Sequence, residues 1–89
     1  MKRKFKMMYF FADWDNNFSF KSEMFEECKA RNIYFDCIDC ETPEGVALSI
    51  KYNVKLCPYI ILMKNGKEVW RGVANEINLD EFAQVRKNK

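Results

Sequence analysis

Cysteine is the side chain in this sequence that carries nucleophilic chemistry, and four are present, at positions 28, 37, 40 and 57. The chain has 89 residues and no histidine, which excludes His-based acid–base catalysis and His metal ligation. Thiols could exchange with disulfides or hold zinc. Cys37-Ile38-Asp39-Cys40 is a C-x-x-C. Such a pair does redox work when its first thiol sits at a helix N-terminus, where the dipole favours the thiolate. Cys37 instead falls inside a predicted strand, before the helix start at Thr42. Residues three apart on a strand point to opposite faces. The expectation is one buried strand cysteine and one loop cysteine, both reduced. A single pair without His is not a zinc site, so neither a metal nor a cofactor is expected. Cys28 lies on the apolar side of a predicted helix and reads as core.

The elements that must position these thiols follow from periodicity. Met7 to Ala12 is a continuous apolar run of strand length, as in a central strand covered on both faces. Asp13 to Asn17 is a polar loop carrying Trp14. Phe20, Met24, Phe25 and Cys28 recur at helical spacing and predict a helix ending near Arg31-Asn32. Ile33 to Asp39 predicts a second strand. Thr42-Pro43 then reads as an N-cap and first helical residue, and this helix runs to about Tyr52. Tyr59 to Met63 is a third strand, and Asn65-Gly66 is a hairpin signal leading into Lys67 to Val73. Asn78, with Glu81 three residues on, predicts a last helix with Leu79, Phe82 and Val85 on its apolar side. The result is a four-stranded mixed α/β sheet in the order β-α-β-α-β-β-α, a single domain over 1–89 with its core at about 5–86.

Composition narrows the setting. The net charge of +2 is small, and the basic residues gather at the two ends, Lys2 to Lys6 and Arg86 to Lys89, where they read as solvated termini. Nucleic acid is not an expected partner. No apolar run reaches the roughly 20 residues of a membrane span. The stretch Met7 to Ala12 is also too short for a secretion signal. The reading is therefore a cytoplasmic monomer whose thiols stay reduced.

The element order, with Pro58 opening the third strand, resembles the thioredoxin superfamily. In that family a strand leads into Ala-x-Trp-Cys-Gly-Pro-Cys and then a helix. Here Ala12-Asp13-Trp14-Asp15-Asn16-Asn17-Phe18 stands in that place. Tyr52-Asn53-Val54-Lys55-Leu56-Cys57-Pro58-Tyr59 resembles the segment that ends in the family's cis-proline, and Lys64-Asn65-Gly66-Lys67 resembles the turn after the next strand. Asp39 and Gly72 match further family positions. The resemblance spans about Met7 to Val85 and lacks the extra N-terminal strand and helix.

The departure falls on the chemistry. Asp15 and Phe18 stand where the two redox cysteines would be, and Tyr9 stands in place of a buried acid. The resemblance thus implies the fold with its dithiol removed, because function lives in sites grafted on folds. It also places Cys57, the residue before the proline, next to the Trp14 loop. Cys57 is then either a small residue in a tight place or a lone reactive thiol. Trp14 and Phe18 either cover the core or form a platform with Pro58 and Tyr59. The implied function is a redox-inactive module that binds a protein or extended peptide through Trp14, Asp15, Asn16, Asn17, Phe18, Cys57, Pro58 and Tyr59. The alternative is an unconventional thiol–disulfide oxidoreductase using Cys57, or Cys37 with Cys40.

Overall fold

The computed structural model describes residues 4–12 and 18–83, with the side chains of Phe18 and Ser19 left aside. The loop residues Trp14, Asp15, Asn16 and Asn17, the side chain of Phe18, Lys2, Arg3 and the basic C-terminal end therefore lie outside the described residues.

Strand β1 (Phe5–Phe11) is central, and Met7 through Phe10 are all buried. It pairs parallel with β2 (Tyr34–Asp39) and antiparallel with β3 (Tyr59–Lys64). Strand β4 (Lys67–Val73) closes the order β2-β1-β3-β4. The β3–β4 hairpin turns at Asn65 and Gly66, both at positive φ (51° and 83°), the backbone that an Asn-Gly pair adopts at little cost.

Alternation along β1 divides the interior into two layers. Met7 and Tyr9 point to one side, where Met24 and Cys28 of helix α1 (Phe18–Ala30) join Ile33, Ile60 and Leu62. Met8 and Phe10 point to the other, with Ile38 and Ile61 under helix α2 (Pro43–Lys51). Cys28 is fully buried 3.6 Å from the Met7 sulfur, and burial pushes its thiol up to about 12.

Helix α2 begins as read. The Thr42 hydroxyl accepts from the Gly45 amide at 3.0 Å, and Pro43 opens the first turn. Its buried contact is Gly45, while Val46 and Ile50 face outward. A Cβ built on Gly45 would lie 1.7 Å from the Asp39 carbonyl oxygen and 3.1 Å from the Cys40 Cα. Only a residue without a side chain lets α2 sit this close to the end of β2.

Two sequence expectations change. Cys37 is exposed, since among the described residues β2 lies at the edge of the sheet. The last helix is, within the described residues, a 3-10 turn at Leu79–Glu81, preceded by another at Ala74–Glu76. Asn78 accepts from the amide of Asp80, two residues on, and Glu81 and Phe82 donate to carbonyls three residues back. Bonds of that span wind the chain with fewer residues per turn than an α-helix, although the Leu79 carbonyl also accepts from the Ala83 amide four residues on. Val85 lies outside the described residues.

Three outcomes follow from this packing. Gly45→Ala should destabilise the fold by about 1–3 kcal/mol, the cost typical of overpacking, read as a lower urea midpoint. Cys28 should be the last thiol alkylated in the folded protein and should react readily once urea unfolds it. Its raised value also carries a pH sign. The unfolded chain gives up this proton first, so the Cys28 contribution to stability is complete below 9.0 and declines as pH rises toward about 12. Unfolding titrations of the wild type and Cys28→Ala above pH 9.0 should diverge in that direction.

Candidate functional site

The register of β1 gathers the candidate residues at one end of the sheet. Phe11, its last residue, lies beside Asp39, and the Cys40 amide donates to the Phe11 carbonyl at 2.8 Å. On the other flank Phe10 faces Tyr59, the first residue of β3. The end of β1 therefore lies level with Cys40 on one flank and with Tyr59 on the other. Parallel pairing of β1 and β2 ends here, the kind of edge at which α/β sheets hold ligands.

The Cys57–Pro58 peptide bond is cis, and the Pro58 carbonyl accepts from the Ala74 amide at 3.1 Å. Cys57, Pro58 and Tyr59 are half-buried, whereas Leu56 just before them is exposed. Arg71 ties this end together from β4. Its guanidinium donates to the Tyr52 carbonyl at 2.8 Å and pairs with Glu68.

The structure sorts the cysteines in a way that spacing does not reveal. Cys37 stands opposite Tyr9 on the α1 side of the sheet, in a groove with Lys21, Ser22, Phe25, Glu26 and Phe35. Partial shielding from water, chiefly, pushes the Cys37 thiol up; Asp36 and Asp39 add to this and Lys21 opposes it. Cys40 lies on the α2 side, in the turn after β2, and packs against the second core layer together with Cys57. Their sulfurs are 3.1 Å apart. The Ser49 hydroxyl of α2 lies 3.6 Å from the Cys40 sulfur while donating to the Gly45 carbonyl at 2.8 Å.

Cys37 and Cys40, three residues apart, are thus separated by the sheet, while Cys40 and Cys57, seventeen residues apart, touch. No short motif encodes that contact. The signal that could have found it is topological: one cysteine just after β2 and one just before β3, with β1 between those strands. All four cysteines are thiols, and among the described residues no group of three His, Cys, Asp or Glu side chains could hold a metal ion. Among the same residues no helix is long and apolar enough to cross a membrane.

No family model and no curated protein matches the chain. Solved structures do. Thioredoxin-2 of the malaria parasite, described as a component of its protein secretion machinery, is 33% identical, with 81% of this chain and 71% of that chain covered at a TM-score of 0.67. Oxidised thioredoxin from Plasmodium falciparum is 25% identical, with 80% and 68% covered at 0.65. Fasciola hepatica thioredoxin is 26% identical, with 81% and 69% covered at 0.70. With the mixed four-stranded sheet, the two helices and an identity of 33% over most of both chains, the chain belongs to the thioredoxin-like superfamily.

Proposed function

We propose that this chain is a thioredoxin-like module that binds a protein segment at the end of the sheet where β1 stops, and that it does so without a dithiol at the head of α1. One observation carries the reading. The β1 register brings the end of that strand level with Tyr59 on one flank and Asp39 on the other, and in the sequence after Ala12 Asp15 and Phe18 stand where the resemblance expects thiols.

The composition at this end supports a protein partner. In the sequence Trp14 and Phe18 are interspersed with Asp13, Asp15, Asn16 and Asn17, a mixture of aromatic and polar residues of the kind enriched at interfaces. Exposed Leu56 and half-buried Tyr59 extend the apolar surface. Segment binding is also the interaction class that fits a relative described as part of a secretion machinery. In this reading the protein acts as a cytoplasmic monomer, without metal, membrane or nucleic acid.

A thiol–disulfide oxidoreductase working through Cys57, or through Cys37 with Cys40, is the competing reading, and an insulin assay separates the two. Insulin disulfides should be reduced no faster than in a dithiothreitol-only control. Turnover above that control, abolished by Cys37→Ser, Cys40→Ser or Cys57→Ser, would replace the binding reading with the enzymatic one. Binding itself is read by chemical-shift mapping with carboxymethylated insulin B chain, an extended peptide without thiols. Perturbations should centre on Ala12, Cys40 and Cys57 to Tyr59. Shifts confined to Asn32, Asn65 and Gly66, at the opposite end, would overturn the assignment.

A further inference from the structure

We propose that Cys40 and Cys57 form a reversible disulfide, a two-electron redox site that reacts with low-molecular-weight disulfides. The proposal does not depend on segment binding. It rests on the 3.1 Å contact between the two sulfurs, on their half-buried position and on the backbone that carries them.

A disulfide needs its sulfurs at about 2.05 Å, so bond formation asks for a closing of about 1 Å. The local chain can supply it. Cys40 lies in the turn after β2, where its amide makes the last bond to β1, and Cys57 lies in the bend before β3, so both sulfurs are carried at strand ends and not within a strand. Cys28 offers the contrast within the same protein. It also lies near a sulfur, that of Met7, yet it is fully buried and shielded from any reagent. Cys37 is exposed but lies across the sheet from Cys40. Cys40 and Cys57 alone combine contact with access.

The chemistry balances without a metal or cofactor. One cysteine of the pair loses its proton, and its thiolate attacks a sulfur of the small disulfide. That S–S bond breaks, a mixed disulfide forms, and one small thiol leaves with a proton. The second cysteine, deprotonated in turn, attacks the protein sulfur of the mixed disulfide. The Sγ–Sγ bond forms and the second small thiol leaves. Two protein thiols are oxidised, one disulfide is reduced to two thiols, and the two protons pass to the leaving groups. The approach is already built, because the resolving sulfur touches the attacked one.

The full chain treated with oxidised glutathione decides the matter. The expected product has lost two hydrogens by intact mass, retains Cys28 and Cys37 as titratable thiols, and yields one cross-linked peptide joining Cys40 to Cys57. Dithiothreitol should reverse it. A retained glutathione adduct on Cys40 or Cys57, a cross-link that includes Cys28 or Cys37, or four intact thiols would overturn the proposal. Cys40→Ser and Cys57→Ser should each keep one glutathione on the remaining partner, since nothing resolves it. Should either variant not fold, the wild-type peptide map decides alone. Measuring insulin B chain binding on the same reduced and oxidised samples keeps the two readings apart. Cross-linking without binding in either sample removes the segment-binding reading and leaves the redox site standing. Binding without cross-linking does the reverse.

Discussion

Burial of β1 on both faces is the constraint on which the rest of the molecule depends. Met7, Met8, Tyr9 and Phe10 have almost no contact with solvent, and they point alternately into the α1 layer and the α2 layer. Fully burying a large apolar side chain is worth about 1.5–3 kcal/mol, so these four residues supply a large share of the driving force of a domain this small. They also fix geometry. A slip of one residue would exchange the two layers and turn every β1 side chain to the wrong helix. The end of β1, and with it the placement of Cys40 and Tyr59, follows from that register.

The charged contacts act at the periphery and mainly set positions. Arg31, near the C-terminal end of α1, reaches Asp80 at 2.6 Å and also pairs with Glu27, which ties the 3-10 turn to the helix. Arg71 joins β4 to the end of α2 through the Tyr52 carbonyl. The exposed Arg71–Glu68 pair contributes about 0–1 kcal/mol, small beside the apolar layers, while the Arg31 side chain is largely covered and only its carboxylate partners face solvent. The value of these contacts lies in holding the ends of helices against the sheet.

Chemistry at this fold depends on which side chains meet at the end of β1. The thioredoxin-like architecture is present, while the segment leading into α1 carries Asp15 and Phe18 where the superfamily has thiols. What α2 brings to the same end is a close approach. Gly45 lets the helix rest against the Asp39 carbonyl, and this seats Cys40 beside Ser49 and Cys57.

The sequence by itself determined what local rules control. The apolar run of β1, the Thr42-Pro43 helix start, the Asn65-Gly66 hairpin and the position of Pro58 each have a short-range cause, and the strands and helices follow them. It also showed that Cys37 and Cys40 face different ways, since alternation along a strand is a local property. The accessibility of Cys37 was not legible, because whether β2 lies at an edge depends on the pairing order of the whole sheet. Within the described residues the last helix is confined to a 3-10 turn, where the Asn78 side chain accepts from the Asp80 amide and the Leu79 carbonyl accepts from both Phe82 and Ala83, a competition of short-range bonds that periodicity does not register. The contact of Cys40 with Cys57 belongs to tertiary structure alone. It joins two residues on either side of a helix, flanking a strand from another part of the chain, and only the packing of α2 onto the sheet brings their sulfurs together.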